Sequence, residues 1–150
     1  MLVLVMIKKP TKKQLDNLWQ QAIKLRDRGC SQWSLKKENL HAHHIIGKAT
    51  YRLRWELDAG ITITGGEHRF IAHGDTTRAT KFQDWALDRK KYLRDKLERL
   101  KGITGGSDLF GVAVYLKFAI AEFKKLKNVP GQIIPYGGIS RYGGGEENLW

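Results

Sequence analysis

Leu40-His41-Ala42-His43-His44-Ile45-Ile46 is an apolar, strand-like run that opens with three histidines. Further on, Ile61-Thr62-Ile63-Thr64 reads as a second short strand, and Gly65-Gly66 turns the chain into a short helix that would carry His68 and His73. All five histidines of the chain fall between residues 41 and 73. Imidazole is the commonest metal ligand and the side chain best suited to moving protons near neutral pH. Adjacent residues of a strand face opposite ways, so His43 and His44 predict two separate tasks on one site if the strand twists or ends there. A glycine, Gly47, directly after Ile45-Ile46 favours such a bend.

Outward from this stretch, helical segments predominate. Thr11-Lys12-Lys13-Gln14 has the form of a capping box and predicts a helix over about 12–28, stopped by Gly29. Thr80-Lys81-Phe82-Gln83 repeats the pattern and predicts a single helix to about residue 100, with a densely charged outer face. Ser107 is placed to cap a third helix to about 127, apolar on most sides, which is either central to the fold or a contact surface for a homo-oligomer. A basic loop over 47–60 joins the two strands. The expected organisation is an N-terminal strand or arm over 1–10, a catalytic unit over 11–102, a packing helix over 103–128 and a flexible tail over 129–150.

The chain has 150 residues, a net charge of +12 and 41% hydrophobic residues, so one globular domain with a modest core is expected. Residues 1–55 carry 12 Lys and Arg against 3 acids, most of the excess. Such a balance predicts a polyanionic partner, with nucleic acid ahead of an anionic membrane surface and of plain solubility. Cys30 is the only cysteine, which excludes an internal disulfide and fits a cytoplasmic setting. The apolar run at 1–7 is too short to span a bilayer and lacks the pattern of a signal peptide.

Phosphodiester hydrolysis needs a base for the attacking water and positive charge for the transition state and leaving oxygen. A neutral histidine and a divalent ion supply these. Around this chemistry, residues 15–100 resemble the HNH, or ββα-metal, endonucleases, and look most like the phage and prophage recombination nucleases. The likeness is carried by Leu18-Trp19, Arg26-Asp27, Cys30, the 40–46 run, Arg54-Trp55, Gly60-Ile61-Thr62, His68, Phe70-Ile71-Ala72-His73 and Phe82-Gln83-Asp84-Trp85. It implies an α+β fold, a ββα-metal core embedded in several α-helices. It implies that His43, His68 and His73 hold one divalent ion (Mg, Mn, Zn or Ni), that His44 is the general base, and that the partner is DNA in the cytoplasm of a bacterial host if the chain is phage-encoded. His41 has no counterpart and is expected to be a surface or packing residue. Lys48, Arg52, Arg54 and Arg69 are expected to grip phosphates.

Two departures stand out. Many relatives bind a structural zinc through four cysteines, whose positions here are Cys30, Trp33, Thr64 and Glu67. No four-cysteine structural zinc is therefore expected, and packing around Trp33 is expected instead. The motif Asn before a glycine is replaced by Ala59, leaving Asp58 or a backbone carbonyl to orient His44. That second departure motivates the rival reading, a non-catalytic DNA-binding or phage-assembly protein on a decayed HNH scaffold.

Overall fold

The computed structural model describes residues 8–47, 53–89, 92–103 and 108–127. Residues 1–7 of the expected arm over 1–10, Lys48 and Arg52, the Ser107 cap and the 129–150 tail lie outside the described residues. The protein is a single small domain of mixed α and β structure. Helix α1, Lys12–Arg26, begins as expected: Thr11 Oγ1 accepts from Gln14 N–H, and the Gln14 side chain accepts from Thr11 N–H. Strands β1, Leu40–His44, and β2, Gly60–Thr64, pair antiparallel, with His43 opposite Ile61 and His44 opposite Gly60. Paired residues share a face. His41, His43, Ile61 and Ile63 therefore look one way, and Ala42, His44, Gly60 and Thr62 the other.

Each face meets its own apolar cluster. Ile61 and Ile63 bury with Phe82, Ala86, Leu93 and Leu97. On the other side, Leu15, Trp19 and Ile23 of α1 pack with Val112, Leu116 and Phe123. Gly60 permits the close approach of α1, because a Cβ there would lie 2.4 Å from the Trp19 ring and 2.7 Å from Ile23. The end of α1 is tied to β2 by charge. Arg26 Nε donates to Asp27 Oδ1 at 2.8 Å, and the same guanidinium donates to the carbonyls of Leu57 and Gly60. Asp27 Oδ2 in turn accepts from Thr62 N–H. Both charges are buried, and each is satisfied by several hydrogen bonds, as burial of an ion pair requires.

After β2 the short helix α2, Gly65–Glu67, passes into a π-helical turn, His68–Ala72. The single helix expected over 80–100 is two: α3, Thr76–Leu87, and α4, Leu93–Lys101. α3 starts earlier than the Thr80 pattern predicts because Asp75 caps it, accepting from Arg78 N–H. An unbroken helix over these residues would run about 39 Å in a straight line. The break returns Leu93, Leu97 and Leu100 to the cluster that already holds Phe82 and Ala86. Arg94 bridges the break, reaching Asp88 at 2.8 Å and Asp84 at 3.3 Å.

Helix α5, Leu109–Lys127, lies against α1 and leaves Phe110, Val114 and Phe118 exposed as a stripe. Asp108 Oδ1 accepts from Phe110 N–H at its start. Among the described residues, no helix is long and apolar enough to cross a membrane.

Candidate metal centre

Two elements bring three histidines together. His43 comes from β1, His68 opens the π turn, and His73 closes it. Each offers a nitrogen, and these ligand atoms lie within 4.8 Å of one another. The ring centroids are 5.1 Å apart for His43–His68 and His43–His73, and 4.8 Å apart for His68–His73. The spacing of five residues between His68 and His73 does not stack on an α-helix. It works here because His73 N–H donates to the His68 carbonyl, 3.1 Å away, which is the π-helical hydrogen bond. Gly74 follows because nothing larger fits: a Cβ there would sit 2.3 Å from the Phe70 carbonyl oxygen.

His43 is 6% exposed. Burial, reinforced by the neighbouring His68 and His73, pushes its pKa down from 6.5 to about 3, so the ring is neutral at physiological pH. His68 is lowered by burial and by His73 and His41. Among the described residues, His43 Nδ1 is a buried nitrogen with no hydrogen-bond partner. Metal–nitrogen bonds of about 2.0–2.1 Å in a tetrahedral site need nitrogens roughly 3.4 Å apart. The three nitrogens lie within 4.8 Å of one another, near that spacing, and three donors leave coordination positions open. The residues present therefore fit a divalent ion.

His44, the last residue of β1, faces α1. Its ring stacks on Trp19 with centroids 3.9 Å apart and planes 10° apart. Its Nε2 lies 2.9 Å from the Arg54 carbonyl oxygen. A carbonyl can only accept, so Nε2 carries the proton in the neutral ring and Nδ1 holds the lone pair. The Arg54 segment is itself fixed. Its guanidinium donates twice to Asp16, from Nε at 3.0 Å and Nη2 at 2.7 Å, and Trp55 Nε1 donates to Asp16 Oδ1 at 2.9 Å. Burial alone would raise the Asp16 pKa; the hydrogen bonds from Arg54 and Trp55 outweigh it and hold the carboxyl below its usual range. Trp19 Nε1 donates to the Glu56 carbonyl, a second tie between α1 and this segment. Both halves meet in a cleft of about 400 Å³ lined by His43, His44, His68, His73, Asp16 and Trp19.

The chain matches no protein-family model, no curated protein and no solved structure.

Two expected site residues need correction. Asp58 does not orient His44 through its carboxylate; it is fully buried and paired with Lys96 of α4, while the Arg54 carbonyl holds the histidine. Arg54 is not a phosphate grip, because its guanidinium is committed to Asp16. Arg69 is exposed beside His68, its guanidinium 6.0 Å from the Phe70 ring centre. His41 is exposed, its ring 5.6 Å from that of His68. Ala59, at the position of the missing Asn, is buried, and its carbonyl accepts from Ile45 N–H, so the backbone closes the turn that follows β1.

At two of the four positions compared with a zinc site, Thr64 and Glu67, stands a hydrogen-bonded joint completed by Ser31. Ser31 Oγ donates to Glu67 Oε2 at 2.6 Å, Thr64 N–H donates to the same oxygen at 2.7 Å, and Glu67 N–H donates to Thr64 Oγ1. Burial would raise the Glu67 pKa, but the bonds from Ser31, Ser34 and Thr64 outweigh it, so the carboxylate is ionised. Trp33 packs edge-on against Trp85 and near Phe82, in line with the packing expected there. Sequence reading missed Asp16 and the stacking role of Trp19. Their i, i+3 spacing on α1 is the only local signal that they share a face.

Proposed function

We propose that the protein is a metal-dependent DNA endonuclease of the HNH, or ββα-metal, kind. The observation that carries this reading is the convergence of His43, His68 and His73 beside a fourth histidine whose tautomer is fixed by a carbonyl. His43, His68 and His73 would hold the divalent ion. When bound, such an ion supplies Lewis-acid stabilisation of the developing charge and of the leaving 3′ oxygen. His44 takes the proton from the attacking water at Nδ1. The Arg54 carbonyl keeps the ring in place, and the Trp19 face and the nearby Asp16 carboxylate favour the imidazolium that forms. Arg69 positions the backbone of the substrate without reading its sequence. The expected products carry 5′-phosphate and 3′-hydroxyl ends.

The test is nicking of supercoiled plasmid with Mg, Mn, Zn or Ni, compared with His44→Ala. Nicking by the parent that is lost in the variant is the expected result. DNA binding without nicking under any of these ions would overturn the proposal in favour of a non-catalytic DNA-binding protein.

A further inference from the structure

A second groove, of about 780 Å³, runs along the outer side of α1 toward its C-terminal end. Asn17, Gln20, Gln21, Lys24, Arg28 and Lys37 line it, and no acidic side chain does among the described residues. Gln20 also lines the histidine cleft, so the two openings adjoin. We propose that this groove is a phosphate track that carries one nucleic-acid strand away from the cleft. The proposal deepens the reading of the cleft as a phosphodiester site and rests on it only for the strand's starting point.

Three observations support a nucleic-acid backbone as the occupant. Amides (Asn17, Gln20, Gln21) near the cleft give way to cations (Lys24, Arg28, Lys37) farther along, the combination that contacts phosphates and sugars in nucleic-acid complexes. From Gln20 to the helix end at Arg26 is about 9 Å of axis, enough for more than one phosphate of a strand, and Arg28 extends the cationic lining past that end. Third, Arg28 has φ 58°, in the left-handed region, directly before Gly29 at φ 64°. A long side chain pays a conformational penalty there that glycine would avoid. Arg28 nonetheless stands there and lines the groove.

The test is fluorescence anisotropy of a labelled 20-nucleotide oligonucleotide, single-stranded and duplex, in EDTA so that nothing is cut. The triple variant Lys24→Gln, Arg28→Gln, Lys37→Gln should bind about a hundredfold more weakly at 0.1 M salt. The slope of log K against log salt should fall by about 2.7 on duplex or about 2.1 on single strands. A control triple of equal charge loss, Lys81→Gln, Lys117→Gln, Lys124→Gln, should change affinity much less. Equal losses in the two triples would overturn the track, as would poly-glutamate binding with the same sensitivity to the groove triple.

Arg28→Gly alone guards against misfolding as the cause. It should raise or keep the melting temperature while weakening oligonucleotide binding severalfold; unchanged binding would overturn the proposed role of Arg28. Hydrolysis of bis(p-nitrophenyl) phosphate, too small to reach the groove, should be unchanged in the groove triple. A parent that binds DNA through the groove but hydrolyses no diester would refute the nuclease and leave the track standing.

Discussion

The two faces of β1 treat neighbouring histidines in opposite ways. On one face His43 is buried and neutral, and its Nδ1 lacks a hydrogen-bond partner among the described residues, while two more rings crowd against it. On the other face His44 is stacked on an indole and held by a carbonyl. The first face gathers lone pairs, which suits capture of a cation. The second fixes one proton and one lone pair, which suits proton transfer. One peptide bond separates the two roles, and the alternation of a strand keeps them apart.

The sharpest way to break this contrast is to remove one ring at a time. His43→Ala should abolish metal uptake measured by titration calorimetry, whereas His44→Ala should keep it and lose roughly 10²–10⁴-fold in cleavage rate. Equal loss of metal uptake in both variants would erase the distinction between the faces.

Next in size is the buried charge pair that ties the segment before β2 to α4. Asp58→Ala removes the carboxylate paired with buried Lys96 and should reduce unfolding free energy by about 3–5 kcal/mol in urea titrations. Cleavage per folded molecule should hold, since Asp58 is a core ion-pair partner and not the orienter of His44. A large rate loss in fully folded variant would restore a catalytic role for it.

The π turn tests the first face from a distance. Gly74→Ala forces the Phe70 carbonyl to move and should displace His73, lowering metal affinity about ten- to a hundredfold, the range typical of residues that orient ligands. Unchanged affinity would show that the tight turn at Gly74 does not set the position of the His73 ring.

The smallest effect concerns Asp16. Its folded-state pKa lies below the ordinary 3.8, so its contribution to stability is complete above that value and disappears as pH falls through the lower, folded pKa. Asp16→Asn should therefore flatten the loss of melting temperature below about pH 4. It should also slow cleavage modestly by loosening Arg54, with metal affinity unchanged. An acid limb identical to the parent's would exclude this carboxyl as a source of acid sensitivity.

Much of this arrangement was legible in the sequence. Short strand-like runs, the Thr11 capping box and the clustered histidines are local signals, and β1, β2, α1 and the His43–His68–His73 group appear where they point. What was not legible is long-range or conformational. The Asp16–Arg54 and Asp58–Lys96 pairs each join residues 38 apart, and charge counts alone assign such groups to solvent or substrate. The break between α3 and α4 is hidden because Phe82, Ala86, Leu93, Leu97 and Leu100 keep a helical period straight across it. The π turn carries no composition signal beyond a histidine pair at an awkward spacing and the glycine after it.

The Ser31–Thr64–Glu67 joint anchors the residue immediately before His68 without a thiolate. Metal starvation, which opens cysteine-bound zinc joints, breaks none of these hydrogen bonds. Chelated protein should thus retain its native circular dichroism and regain full ion uptake on mixing, with no refolding lag.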